Sequence, residues 1–301
     1  MGGDADRDFG HLLPEVAALI GRSIEERVWF ARRDKWIGYT RAETALAAMR
    51  DTMEQPVQQR RRGMLLAGRP NNGKTALLTR FRDEHPVTTR DDGETVMPVL
   101  SISMPSKADE SLLWSKVLVG LGIPHRDNDP VLRKRNQAVA VMRRVHVRML
   151  IVDEIHNILL GHASQQRQLL AVLKAMSTDI ESPLIVAGTV DAFRAVKTDG
   201  QVSTRYNPFG LPLWKLDREF LKLLASLEAV LPLAEPSGLA TEALAVKLHP
   251  LSGGTIGGIV DVLKDATAIA LRDGRERIDL TVLDRLRSAT VADYNLHEAG
   301  L

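Results

Sequence analysis

The stretch from residue 68 to residue 75 combines residue types that bind phosphate groups at a fixed spacing. It reads GRPNNGKT and matches the pattern G-x-x-x-x-G-K-[ST], between an apolar run and an amphipathic one. Glycines let a loop wrap phosphates without Cβ clashes, and the loop N–H groups and the following helix N-terminus present positive partial charge. We expect Lys74 to reach the β- and γ-phosphates and Thr75 to ligate magnesium. The predicted nucleotide-binding loop comprises Gly68, Arg69, Pro70, Asn71, Asn72, Gly73, Lys74, Thr75 and Ala76.

Two acidic residues end a second apolar run. Residues 149–152 read MLIV and are followed by Asp153 and Glu154. A buried strand of this kind beside the phosphate loop would let Asp153 hold magnesium through its waters and let Glu154 act as a general base on the attacking water. The alternative is a pair of acids that merely caps a surface strand. The phosphate-binding pattern upstream favours the catalytic interpretation.

Three further polar residues lie near the ends of apolar runs. Thr189 ends the run 183–189 and is a candidate sensor of the γ-phosphate. Arg205 precedes the last run and could act in trans on a neighbour's nucleotide, although a solvated loop arginine fits the sequence equally well. His156 makes the string DEIH, which resembles a helicase box, but only about 85 residues follow Trp214, too few for a second α/β domain. We therefore interpret His156 as a polar residue at the start of a loop.

The order of apolar and amphipathic stretches predicts an α/β core between helical segments. Candidate strands alternate with amphipathic windows, which is typical of a parallel sheet flanked by helices. The strands are predicted at 63–68, 96–104, 148–154, 183–189 and 207–214. The chain is divided into a helical N-terminal arm (1–50), an α/β core (51–215) and an all-helical lid (216–301).

The composition indicates an intracellular protein. The chain has 301 residues, a net charge of +2 and no cysteine, which excludes disulfides and thiolate metal sites. Its N-terminus lacks the basic flank and apolar run of a secretory signal. The apolar runs are far shorter than the roughly 20 residues that span a bilayer. We expect a cytoplasmic protein with no membrane partner.

Basic residues occur in clusters that could contact nucleic acid. Charge runs are usually solvated surface, but in a ring or filament even a few lysines per subunit add up along a phosphate backbone. Clusters lie at 60–62, at 133–135, and at 143, 144 and 148, and two lysines follow the second predicted strand. The DNA-binding candidates are Lys107, Lys116, Arg133, Lys134 and Arg135.

Several motifs together resemble those of AAA+ ATPases, and more narrowly those of the TniB family of transposition ATPases, which are relatives of the TnsC-type regulators. The resemblance rests on DKWIGY (34–39), GRPNNGKT (68–75), LIVDEIHN (150–157), Gly188–Thr189 and SGGTIG (252–257). It implies an AAA+ P-loop fold with a five-stranded parallel sheet in the order 5-1-4-3-2. It also implies that Trp36, Ile37 and Tyr39 lie near the adenine and that Arg205 acts in trans.

The resemblance implies a function as well. A TniB-like protein would bind ATP and Mg2+, hydrolyse ATP, oligomerise as a ring or helical filament on double-stranded target DNA, and recruit a transposase with a TniQ-like adaptor. The lid stretch 253–258 carries no arginine, unlike many AAA+ lids, so we expect weak coupling between the lid and the nucleotide state. The alternatives are another DNA-associated AAA+ protein such as a helicase loader, and a stand-alone NTPase switch.

Overall fold

The computed structural model describes residues 9–56, 62–198 and 205–286, and the side chains of 195–198 are not described. The basic residues Arg60 and Arg61 lie outside the described residues, as does the end of the last predicted helix. The chain divides into two compact units. The α/β unit runs from Thr40 to Pro212, and the helical unit combines the residues up to Tyr39 with those from Leu213 onward.

The helices and strands follow one another with the periodicity of an α/β protein. The helices are α1 (Pro14–Ala17), α2 (Ile24–Arg32), α3 (Thr40–Met53), α4 (Lys74–Asp83), α5 (Glu110–Gly120), α6 (Val131–Arg144), α7 (Ala163–Asp179), α8 (Val190–Thr198), α9 (Arg218–Glu228), α10 (Glu242–Leu251) and α11 (Ile256–Arg272). The strands are β1 (Gly63–Gly68), β2 (Thr88–Thr89), β3 (Thr95–Val96), β4 (Val99–Ser103), β5 (Met149–Asp153), β6 (Leu184–Gly188) and β7 (Tyr206–Leu211), and a 3-10 helix covers Ile155–Leu160. Residues 280–286 are also helical.

Five parallel strands form the sheet of the α/β unit, in the order β4-β5-β6-β1-β7. Counted as the five predicted strands, this is the order 5-1-4-3-2, so the prediction is confirmed. Every residue of the three central strands is buried, which explains their uninterrupted apolar runs. The edge strand β7 contains Pro208, a residue that sheets confine to edges and ends because it cannot donate a ladder hydrogen bond.

The largest differences from the predicted strand limits lie at the start of β4 and the end of β7. β4 begins at Val99 rather than at residue 96, directly after Pro98, and β7 ends at Leu211, directly before Pro212. Pro98 has no N–H for the ladder, which accounts for the start of β4. Residues 95 and 96 pair instead with 88 and 89 in a small antiparallel hairpin that was not predicted.

The helical unit includes the predicted arm in its core. Val28 of α2 packs in the cluster that contains Phe220, Leu224 and Leu263. Arg27, only 4% exposed, donates to the carbonyl of Pro232 (Nε, 3.0 Å) and to Glu276 Oε1 (2.9 Å). The division into an arm, a core and a lid is therefore corrected: α3 belongs to the α/β unit, and the residues before it belong with the C-terminal helices.

Among the residues that the structure describes, none of the helices has the length and apolar character needed to cross a membrane.

Candidate nucleotide site

The loop between β1 and α4 has the backbone of a phosphate cradle. Asn71 and Gly73 both adopt positive φ angles, 56° and 78°. Gly73 is the N-cap of α4, no side chain caps the helix, and no acidic residue occupies its first turn. The first N–H groups of a helix have no intrahelical partner and attract anions. The cradle therefore presents donors and positive partial charge at the end of β1.

Lys74 is held inside this loop. Its side chain is buried, and Nζ donates to the carbonyls of Gly68 (3.1 Å) and Arg69 (2.8 Å). Burial lowers the pKa of Lys74, and the carboxylates of Asp153 and Glu154 act in the opposite direction. The ammonium group thus lies at the loop, with two carboxylates close enough to favour its charged form.

Thr75, in the first turn of α4, contacts Asp153, the last residue of β5. Thr75 Oγ1 donates to Asp153 Oδ2 at 2.6 Å, and the backbone N–H of Glu154 donates to Asp153 Oδ1 at 2.7 Å. Hydroxyl and carboxylate oxygens are ligands that Mg2+ prefers, usually with phosphates and waters completing the shell. Within the described ranges, no group of three or more His, Asp or Glu side chains could hold a metal by itself. The pair fits a magnesium ion bound together with a nucleotide.

Glu154 lies directly after β5 in a left-handed backbone conformation (φ 58°), at the start of the 3-10 helix. Its Oε2 lies 3.0 Å from Nε2 of His156. The other ring nitrogen of His156, Nδ1, is buried and has no hydrogen-bond partner among the described residues. His156 therefore lies in the same turn as Glu154 and contacts its carboxylate, a contact that the sequence interpretation missed. Its spacing of two residues from Glu154 was the available signal.

Gly188 leaves room for this turn. A Cβ at Gly188 would lie 2.4 Å from Cγ2 of Ile155 and 3.3 Å from the backbone nitrogen of His156. Thr189, the next residue, uses Oγ1 to accept a hydrogen bond from the N–H of Ala192 at 3.4 Å. It follows the carboxyl end of β6, so it shares the sheet edge with the phosphate loop and Glu154. Its role as a sensor stays a prediction.

The side chains of the phosphate loop point in different directions. Asn72 is 3% exposed, and its Nδ2 donates to the carbonyls of Leu211 (2.9 Å) and Pro212 (3.2 Å). The side chain of Asn72 therefore anchors the loop to the end of β7. The exposed residues of the loop are Arg69, Pro70, Asn71, Thr75 and Ala76.

Arg205 lies at the amino ends of the strands, at the end of the sheet opposite to the phosphate loop. Its carbonyl accepts a hydrogen bond from the N–H of Gly63, the first residue of β1, at 2.8 Å. The phosphate loop follows the last residue of this six-residue strand, about 20 Å away. The guanidinium donates to the carbonyl of Lys174 at 3.2 Å. Arg205 therefore cannot reach the phosphate loop of its own subunit.

The predicted adenine contacts belong to the helical unit. Ile37 and Tyr39 pack against the core of that unit, and the rings of Tyr39 and Trp214 lie 5.1 Å apart. Trp36 precedes them in the same unit. Their role at the adenine stays a prediction.

The five predicted DNA-binding residues have different surroundings. Lys107 and Lys116 are exposed, and Arg133 is exposed beside Asp129. Arg135 is partly buried and pairs with Asp179 (Nη2 to Oδ2, 2.6 Å).

Lys134, the fifth predicted DNA-binding residue, is buried. It is 1% exposed and donates to Ser111 Oγ (2.9 Å) and to the carbonyl of Asp127 (2.8 Å), so its prediction as a DNA contact is wrong. Successive residues of a helix point about 100° apart, and Lys134 shares the inner face of α6 with Ala138 and Met142.

Solved structures resemble this fold at low sequence identity. The ORC2 protein of Aeropyrum pernix, in ADPNP–ADP complexes, is 17% identical with a TM-score of 0.59, covering 86% of this chain and 70% of that one. Cdc6p of Pyrobaculum aerophilum is 17% identical with a TM-score of 0.60 (83% and 67%). The ORC1 protein of Aeropyrum pernix in complex with DNA is 17% identical with a TM-score of 0.55 (87% and 69%). These likenesses show the AAA+ P-loop fold.

The family comparison is more specific. No curated protein matches the chain. The family described as "Bacterial TniB protein" matches residues 27–216, a span that contains the phosphate loop, Asp153, Glu154 and Arg205. Because this match covers more than half of the sequence, the chain belongs to the TniB family.

Proposed function

We propose that this protein is an ATP-hydrolysing regulator of DNA transposition. The observation that carries the ATP hydrolysis is the contact between Thr75 and Asp153, with Glu154 directly after it and Lys74 in the adjacent loop, and the TniB family match supports the link to transposition. A carboxylate and a hydroxyl that would hold Mg2+, a lysine for the phosphates and a glutamate to take a proton are the parts that phosphoryl transfer to water requires.

In the proposed reaction the loop backbone and the side chains of the site act on different parts of the nucleotide, on its metal ion and on the attacking water. The backbone of residues 68–76 surrounds the phosphates, and Lys74 neutralises their charge. Thr75 and Asp153 hold Mg2+, which would supply further positive charge at the phosphate oxygens when it is bound. Glu154 takes the proton of the attacking water. Thr189 reports the γ-phosphate, and Trp36, Ile37 and Tyr39 contact the adenine.

The position of Arg205 supports an oligomer. It lies at the amino ends of the strands, whereas the phosphate loop lies at their carboxyl ends. If Arg205 acts on a nucleotide, that nucleotide must therefore belong to a neighbouring subunit. A head-to-tail contact of this kind generates rings or helical filaments. The proposed assembly is therefore a homo-oligomer whose sites are completed between subunits.

The proposed partners are double-stranded target DNA, a transposase and a TniQ-like adaptor. Membership of the TniB family supports them, and exposed Lys107, Lys116 and Arg133 provide positive charge for a phosphate backbone. A structural relative, the ORC1 protein of Aeropyrum pernix, was solved in complex with DNA. The proposed contacts are with phosphates, so little base-sequence preference is expected.

Electron microscopy with duplex DNA and a non-hydrolysable ATP analogue tests this proposal. We expect regular oligomers on DNA for the wild-type chain and none for Lys74→Ala, because that change removes the charge that binds the phosphates. Monomers under all conditions would overturn the proposal. A partner helicase recovered in a pull-down would favour the loader, and nucleotide binding without any DNA-dependent change would favour the stand-alone switch.

A further inference from the structure

The loop between β4 and α5, residues 104–109, is bonded through its first residue to Asp153, the last residue of β5. The N–H of Met104 donates to the carbonyl of Asp153 at 2.8 Å, and the side chain of Met104 is 2% exposed. Two residues later the loop emerges from the protein, because Ser106 and Lys107 are exposed. The loop therefore has a buried first residue beside the candidate magnesium ligand and an exposed lysine, Lys107, at its tip. Asp109, which is also exposed, accepts from the N–H of Leu112 at 2.9 Å and so caps α5.

Asn157 also bonds to Met104, the first residue of the loop. Its Nδ2 donates to the carbonyl of Met104 at 3.0 Å, and its backbone N–H donates to the carbonyl of Glu154 at 2.9 Å. Met104, Asp153, Glu154 and Asn157 thus form a closed ring of covalent and hydrogen bonds. The side chain of Asn157 provides the one side-chain bond in that ring, so the ring opens when the amide donor is removed.

The 3-10 helix that carries Asn157 cannot move independently of the loop. Ile155 and Ile158 of this helix are buried, at 1% and 3% exposure. At its far end, a Cβ at Gly161 would lie 2.4 Å from the Cβ of Ala108, which shows how closely the helix follows the loop. The helix therefore contacts the loop near both ends of the loop, through Asn157 at Met104 and through Gly161 at Ala108.

We propose that Asn157 is a positioning residue that couples the loop 104–109 to Glu154, so that a phosphate backbone bound at the loop raises ATP turnover. The inference rests on the proposed function, because it needs both ATP hydrolysis and DNA binding. A neutral amide suits this role: it donates one directional hydrogen bond to Met104 and adds no charge beside the carboxylates. Displacement of the loop by DNA is transmitted through Met104 to the backbone of Glu154.

The test compares ATP turnover of the full chain with and without duplex DNA in three variants. Asn157→Ala removes the donor. Asn157→Asp keeps the size but presents an acceptor to the carbonyl of Met104. Asn128→Ala, an exposed asparagine of the same unit, is the matched control. Nucleotide affinity, duplex affinity and thermal midpoint are measured for each variant in parallel, since a purely structural role would lower the midpoint and both affinities together.

We expect duplex DNA to raise the turnover of the wild-type chain and of Asn128→Ala by roughly 5-fold or more, the lower end of typical couplings between sites. In Asn157→Ala and Asn157→Asp the ratio of the two turnovers falls towards one while both ligands still bind. A ratio equal to that of the wild type in either folded variant overturns the coupling but leaves the proposed function intact. Wild-type turnover that is indifferent to DNA overturns both.

Hydrogen exchange of the wild-type chain supplies a measurement that no folding defect can obscure. The N–H of Asn157 reports its bond to the carbonyl of Glu154. Duplex DNA, added to the ATP-analogue-bound protein, should change the exchange rate of this amide. DNA binding without any change there would overturn the proposal.

Discussion

At the scale of single residues, both oxygens of the Asp153 carboxylate accept a hydrogen bond. Oδ2 accepts from Thr75 and Oδ1 from the N–H of Glu154, so its orientation is fixed before any ligand arrives. The left-handed conformation of Glu154 costs of order 1–3 kcal/mol and persists only where its surroundings enforce it. The contacts of the neighbouring residues therefore position the carboxylate proposed as the general base.

Glu154→Gln should bind ATP and hydrolyse it about 10²- to 10⁴-fold more slowly, because the amide keeps the shape but cannot take a proton. Lys74→Ala should instead lose nucleotide affinity. Turnover and binding of a fluorescent ATP analogue separate the two effects. Glu181→Gln is the matched control, since Glu181 is an exposed glutamate that also has a positive φ (52°). Wild-type turnover in Glu154→Gln would refute the assignment.

The phosphate loop and the acid pair were predictable because their chemistry is encoded in contiguous residues. Lys134 was not, since three successive basic residues on α6 look alike in sequence while the helix turns one of them into the core. The contact between His156 and Glu154 also depends on a backbone turn that only the structure shows.

At the scale of secondary-structure elements, α2 is attached to the helical unit by a buried ion pair. Arg27 bonds both Glu276 and the carbonyl of Pro232, and the side chains of the pair are 5% and 27% exposed. Glu276 also accepts from the N–H of Ala234 at 3.0 Å. One arginine therefore connects α2 to two segments of the chain that lie more than two hundred residues away.

Arg27→Ala should lower the free energy of unfolding of the helical unit by ~3 kcal/mol, because it leaves Glu276 partly buried without its counter-charge. Arg27→Met combined with Glu276→Gln should recover much of this loss. Urea denaturation followed by circular dichroism measures it, with Arg32→Ala, an exposed arginine of the same helix, as the control. An unchanged midpoint in Arg27→Ala would contradict this account.

The long distance along the chain is also the reason why the arm was predicted as a separate segment. Apolar runs located the five main strands, since a strand buried on both faces leaves a local pattern. The hairpin of β2 and β3 was missed because strands of two residues are too short to show a period. The partners of Arg27 are distant in sequence, so no window of residues around α2 could indicate them.

At the scale of the whole molecule, the two ends of the parallel strands carry different candidate residues. The phosphate loop, Asp153, Glu154 and Thr189 follow the carboxyl ends of β1, β5 and β6, whereas Arg205 precedes the amino end of β7. One subunit therefore carries the candidate nucleotide site at the carboxyl ends of its strands, and the residue proposed to act on a neighbour's nucleotide at their amino ends. Repetition of this asymmetric contact is what a ring or filament requires.

Arg205→Ala should reduce turnover of the assembled protein by about 10³-fold or more, the scale of arginine fingers, and leave nucleotide affinity unchanged. Arg194→Ala, which changes an exposed arginine, should have no such effect. In a mixture, Lys74→Ala subunits retain Arg205 and can complete the intact phosphate loops of Arg205→Ala subunits, so turnover should return although neither variant is active alone. If turnover stays at the level of the separate variants across all mixing ratios, Arg205 does not act in trans, and its bond to the carbonyl of Lys174 becomes its role.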